Sequence, residues 1–270
     1  MLTRFIQAQQ AEVARLAALE KATLFPAPFA GSRPSLAAHL VRKKPIALIA
    51  EYKRASPSLG DINLVATPEQ VAAAYAGAGA AAISVLTEKA HFKGDIAFIE
   101  RMFFSGLPLL RKDFLIHPLQ VRETAAGPAA ALLLIARILD EENFVRMLRA
   151  VAENGLETVL EVFDAPDLDK TRRALAKCPL PSVIIQVNNR DLQSLRVSEA
   201  PSRQLIRYKK DKEIWISASG ITSQAQVEER SRLGYDAVLV GSYLMGQDAP
   251  DAALATLNRR GGDHESDSPV

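Results

Sequence analysis

Ile46-Ala47-Leu48-Ile49-Ala50-Glu51-Tyr52-Lys53 is the stretch on which the fold turns. Its apolar run is too short for a buried helix and fits a buried strand. Charge enters only at its end, where strand alternation puts Glu51 and Lys53 on one face and Tyr52 on the other. Downstream the same beat recurs: a short apolar run, a polar or charged residue at its exit, then an amphipathic segment of roughly ten or more residues. Counting Ile46–Lys53 first, the predicted strands continue as Ala81–Leu86, Pro108–Lys112, Ala130–Ile135, Thr158–Val162, Val183–Asn188, Ile214–Ser217 and Ala237–Val240. Helix starts are announced between them by Thr67-Pro68-Glu69, Asp140-Glu141-Glu142, Ala165-Pro166-Asp167 and Thr222-Ser223, which offer caps or first-turn acids to free backbone amides. Strands joined by helices in this number predict an α/β fold of the (β/α)8 TIM-barrel kind. An open doubly wound sheet is the structural alternative, but the glycine-rich dinucleotide turn usual after its first strand is missing after Lys53.

Upstream of Ile46, apolar positions at Leu2, Phe5, Ile6, Val13, Leu16 and Leu19 recur with a helical period through Ala22, and a Pro-rich stretch from Pro26 to Pro34 follows. Ser35 is placed to cap a short second helix through His39. Residues 1–258 are therefore expected to form a single barrel domain with an extra N-terminal helix, residues 1–45 being a helical extension. The segment 259–270, with Gly261-Gly262 and then mostly polar residues, is expected to be a disordered tail.

Composition narrows the function classes. Hydrophobic residues make up 48% of the chain and charged residues 24%, and the formal net charge of +2 gives no reason to expect nucleic acid or an anionic membrane as partner. The longest apolar stretches, such as Ala129 to Ala136, fall far short of the roughly 20 residues of a membrane span. Met1 to Glu20 lacks the pattern of a secretory signal, so the expected compartment is the cytoplasm. Cys178 is the only cysteine, and His39, His91, His117 and His264 have no metal-ligand spacing, which argues against a disulfide or a structural zinc site.

A β/α barrel builds its active site at the C-terminal ends of the strands, and the predicted exits are polar. They carry Glu51 and Lys53, Lys112-Asp113, Glu161, Asn188-Asn189-Arg190-Asp191, Ser217-Ala218-Ser219-Gly220, and Gly241-Ser242. Glycine and small hydroxyls at strands seven and eight suit the common phosphate site of this architecture, although either glycine alone reads equally well as a turn residue. Any one of the charges reads equally well as a solvated strand end or a salt bridge. Two lysines and two glutamates converging on one mouth point to acid–base work, because burying charge costs several kcal/mol per ion, an order-of-magnitude figure.

The chain resembles the indole-3-glycerol phosphate synthase family from the N-terminal helix to about Met245. The motifs are Ile49-Ala50-Glu51-Tyr52-Lys53-Arg54-Ala55-Ser56-Pro57-Ser58, Leu86-Thr87-Glu88 with Phe92 soon after, Leu110-Arg111-Lys112-Asp113-Phe114, Leu133-Leu134-Ile135, Glu161-Val162, Asn188-Asn189-Arg190-Asp191-Leu192, Ser219-Gly220-Ile221 and Val240-Gly241-Ser242. The resemblance implies that the N-terminal extension 1–45 covers the barrel mouth and helps hold the anthranilate end of a substrate, and it implies ring closure of 1-(2-carboxyphenylamino)-1-deoxyribulose 5-phosphate with loss of carbon dioxide and water, in tryptophan biosynthesis, without cofactor or metal. It implies Glu51, Lys53, Lys112, Glu161 and Asn188 as the catalytic group, with Lys112 as general acid at the ribulose carbonyl. Ser56, Phe92, Arg190 and Ser219 are implied to bind substrate, and Gly220, Gly241 and Ser242 its phosphate. A monomer acting on a small phosphorylated molecule is expected, with other tryptophan-pathway enzymes as conceivable partners.

Two positions depart from the family pattern. Ala218 stands where strand seven has a glutamate, and Gln186 where strand six has glycine before the asparagine motif. The first removes a carboxylate from the charged group and raises the alternative of a divergent or inactive paralogue that binds a phosphorylated ligand. The second is expected to narrow the pocket. A different phosphosugar barrel, such as an isomerase of histidine or tryptophan synthesis, would lack the paired Glu51 and Lys53 with Ser56-Pro57-Ser58.

Overall fold

The computed structural model describes residues 2–43 and 45–259; the predicted tail, from residue 260 on, lies outside the described residues. The barrel strands are β1 Ala47–Tyr52, β2 Ala82–Leu86, β3 Leu109–Lys112, β4 Ala131–Ile135, β5 Glu157–Val162, β6 Ile184–Asn188, β7 Ile214–Ala218 and β8 Ala237–Val240. Each pairs in parallel with the next, and β1 pairs with both β2 and β8, which closes the barrel. Closure leaves no barrel strand with an unpaired edge. The helices between them start where the sequence places its caps. Thr67 makes a capping box with Gln70, and Asp140 accepts from the Asn143 amide. The cap of Ala165–Lys177 is Asp164, and that of Gln224–Arg232 is Ser223. No helix among the described residues is long and apolar enough to cross a membrane.

Alternation along the strands divides the apolar residues into two cores. Leu48, Tyr52, Ile83, Val85, Leu132, Leu134, Leu160, Ile185, Trp215 and Val238 face outward and pack beneath the helices. Ala47, Ile49, Ala82, Leu110, Ala131, Leu133, Val159, Ile184, Ile216 and Leu239 fill the barrel interior. The interior series begins with small alanines and ends, at the C-terminal side, in charged or polar groups on β1, β3, β5 and β6. One end of the barrel is thereby left open to reactants and the other to packing.

The N-terminal extension serves both ends, which corrects the expectation of one cover formed by residues 1–45. The helix Leu2–Lys21 runs past the mouth and places Phe5 in the wall of the main cavity. The helix Leu36–Arg42 closes the other end. Ser35 Oγ and the Leu36 N–H donate to the carboxylate of Glu157, the first residue of β5. Leu36, Ala37 and Leu40 join the interior core with Ala47, Ala82, Ala131 and Ala237, whose small side chains leave room for the two leucines. A short hairpin that the sequence does not announce, Ala55–Ser56 paired with Gly60–Asp61, folds out of the loop after β1.

Candidate active site

One cavity at the C-terminal ends of the strands is lined by every residue that the sequence put forward as catalytic, substrate-binding or phosphate-binding. Glu51 and Lys53 reach it from β1, Lys112 from β3, Glu161 from β5, and Asn188 and Arg190 from β6 and the loop after it. Ser56 comes from the hairpin and Phe92 from the short helix Lys89–Phe92 after β2. Ser219 and Gly220 follow β7; Gly241 and Ser242 follow β8.

Glu51 is deeply enclosed, at 3% exposure. It accepts from Lys53 Nζ at 2.8 Å and from Ser84 Oγ at 3.5 Å. Burial pushes its carboxyl up, but the charges of Lys53 and Lys112 and the hydrogen bonds of Lys53 and Ser84 outweigh burial and hold it below the usual carboxylate value. Lys53 is thus committed to an ion pair, and Lys112 is the freer of the two ammonium groups. Arg190, half-buried, donates to the Leu195 carbonyl at 2.9 Å, and desolvation lowers its guanidinium from the ordinary value against the opposing charge of Glu51.

Glu161 is buried on the opposite side of the floor. Its Oε2 accepts from Asn188 Nδ2 at 3.1 Å and from Gln186 Nε2. Asn188 Oδ1 in turn accepts from the Arg190 N–H and from Ser219 Oγ, both at 2.9 Å. Gln186 is fully buried and does not line the cavity; it lies against Glu161 in the barrel interior, so it does not narrow the pocket as the sequence suggested. Ala218, also inward and buried, packs in the interior core beside Asn188, its partner in the strand register.

The glycines do different things. Gly220 and the residue before it, Ser219, both adopt left-handed backbone, with φ of 87° and 70°. That conformation suits glycine and strains serine, a strain of the kind that clusters at functional sites. Gly241 is required by its neighbour: a Cβ there would overlap the carboxylate of Glu51, coming within 2.9 Å of its Cδ. This second role had no signal in the sequence, because Glu51 and Gly241 meet only when the barrel closes.

Sequence reasoning also missed the aromatic wall. Phe5 stacks on Phe114 with ring centroids 4.2 Å apart, and Phe92 lies 6.1 Å from each. Phe5 looked like one more member of an apolar helix stripe, and Phe114 stood only as the end of the Leu110–Phe114 motif. With Leu133 and Ile135 they make an apolar side wall opposite the glycine and serine loops. Beneath this wall the buried Asp113 ties the N-terminal helix down, accepting from Gln9 Nε2 at 2.9 Å and from Thr87 Oγ1 at 2.6 Å.

The family model described as indole-3-glycerol phosphate synthase matches residues 2–257. A protein of that name from Roseiflexus castenholzii is 42% identical over 218 residues, 77% of this chain and 78% of that protein. Another, from Shouchella clausii, is 34% identical over 259 residues, 95% of this chain and 97% of its own length. Among solved structures, 3-hexulose-6-phosphate synthase from Salmonella typhimurium superimposes with a TM-score of 0.61 at 16% identity, over 79% of this chain and 97% of that one, a likeness of fold alone. By sequence over nearly its whole described length, the chain belongs to the indole-3-glycerol phosphate synthase family.

Proposed function

We propose that the chain converts 1-(2-carboxyphenylamino)-1-deoxyribulose 5-phosphate to indole-3-glycerol phosphate, with release of carbon dioxide and water. The observation that carries this reading is the polarity of the cavity. An apolar aromatic wall suits the anthranilate ring, a Gly-Ser rim suits a phosphate, and two lysines and two glutamates lie on the floor between them.

Lys112, free of the ion pair that occupies Lys53, protonates the ribulose carbonyl as the ring carbon attacks it. Glu51, held ionised by both lysines, holds the departing hydroxyl by accepting its hydrogen bond, and its ion-pair partner Lys53 positions the charged groups of the substrate and supplies the proton with which that hydroxyl leaves as water. Glu161 serves proton transfer in the dehydration, with Asn188 fixing its orientation. Arg190 orients the carboxylate until carbon dioxide leaves, Phe92 packs on the ring, and Ser56, Ser219, Gly220, Gly241 and Ser242 hold the hydroxyl and phosphate end. On the same reading the protein works as a monomer in the cytoplasm, with other enzymes of the same pathway as the partners to look for.

Fluorescence of the indole product, followed for the native chain and for Lys112→Ala, tests this. The native chain is expected to turn over, and Lys112→Ala to lose about 10²–10⁴-fold in kcat, the usual worth of a general acid. A silent native chain that gains activity on Ala218→Glu would instead favour a barrel that binds its ligand without reaction.

A further inference from the structure

The two departures from the family pattern are neighbours. Gln186 and Ala218 point into the interior from adjacent strands, one register step apart: Asn188 pairs with Ala218, and Gln186 sits one inward position below Asn188 on β6. On its other side Gln186 pairs with Glu161 of β5. Where β7 carries a small residue, β6 carries a long polar one, and its amide donates to Glu161 Oε2.

The orientation of that amide is set by chemistry, since turning it over would press its oxygen against a carboxylate. Its own Oε1 is left buried with no hydrogen-bond partner. A glutamine with zero exposure and one unsatisfied oxygen is a poor choice for stability, because an apolar side chain of similar size would fill the same space without that desolvation cost. The bond to Glu161 is what it supplies. Gln186 and Asn188 both donate to Oε2, so together they fix the carboxylate by one oxygen and leave Oε1 as the one to meet substrate.

We propose that Gln186 is a positioning residue for Glu161, and that Gln186 and Ala218 form a reciprocal exchange in which the polar side chain that the barrel interior needs near Glu161 comes from β6 in place of β7. The proposal rests on the synthase reading of the site. It explains how the chain can keep its reaction without a carboxylate at position 218, and it predicts that restoring that carboxylate alone does harm.

Steady-state kinetics on the native chain, Gln186→Leu, Ala218→Glu and the double variant Gln186→Gly with Ala218→Glu test it, with thermal midpoints measured for all four. Gln186→Leu is expected to lower kcat about tenfold or more with KM within about twofold and the midpoint little changed, the pattern of a lost interaction that matters only during turnover. Ala218→Glu is expected to lose activity in the same range by crowding Gln186, and the double variant to return within a few-fold of native kcat, a non-additive rescue that a merely space-filling glutamine would not give. Native kcat in Gln186→Leu overturns the positioning role, and additive losses in the double variant overturn the exchange. If Gln186→Leu does not fold, Gln186→Met repeats the measurement; failure of both to fold makes Gln186 a core residue and overturns the proposal. No turnover by the native chain overturns the synthase reading and this proposal together, whereas native turnover with an unimpaired Gln186→Leu overturns this proposal alone.

Discussion

Glu51 is where the electrostatics of the site meet its packing. It is buried yet held ionised, because two lysine charges and two hydrogen bonds outweigh desolvation. With a folded-state value below the ordinary 4.5, its ionisation contributes stability that is present above that value and lost as pH falls through the lower folded-state one. Urea titrations should therefore show a stability difference between native and Glu51→Gln that is flat from neutrality down to about pH 5 and shifts against the native chain below it; the opposite trend would mean that Glu51 is not held ionised. Its packing partner gives a second prediction. Gly241→Ala drives a Cβ into the Glu51 side chain, and displacing the carboxylate by about an ångström should cost on the order of 10²-fold in kcat. Unchanged kinetics in Gly241→Ala would show that Glu51 can move without consequence.

At the level of elements, the N-terminal helix is a wall of the pocket held by polar pins. Gln9 donates to Asp113 in the cavity lining and accepts from Gln120 Nε2 at 2.6 Å, while Phe5 stacks over Phe114. Phe5→Ala should raise KM by about tenfold and lower kcat far less, since it removes contact area for the substrate ring and leaves the charged floor intact. A fall in kcat at constant KM would move Phe5 from binding to chemistry. The helix itself was legible in its apolar period, but its place at the mouth came only with the family resemblance, because the same stripe serves equally for burial under a barrel helix or over a pocket. The barrel strands were legible nearly to the residue, since each is a short apolar run that ends in a polar group. The hairpin Ala55–Ser56 with Gly60–Asp61 was not, because two-residue strands leave no alternation to read. The site residues stood out through strand-end polarity and motif together, whereas the contact of Gln186 with Glu161 depended on which strands become neighbours and on how side chains turn inside a closed barrel.

For the whole molecule, the closed sheet separates chemistry from stability. The C-terminal end carries the charged floor, and the N-terminal end is sealed by Leu36 and Leu40, both without solvent exposure, above a ring of alanines. Leu40→Ala should cost about 2–5 kcal/mol of stability, as buried leucine truncations do, while leaving kcat at room temperature within about twofold of native. A large kinetic effect there would show that the two ends are coupled. The account as a whole stands on the reaction assigned to the mouth. The measurement that reaches it most directly is carbon dioxide released alongside indole fluorescence when the native chain is given 1-(2-carboxyphenylamino)-1-deoxyribulose 5-phosphate. Continuous turnover with one carbon dioxide for each indole ring formed is expected; substrate that binds and is recovered unchanged, with neither product, would overturn the assignment of this reaction.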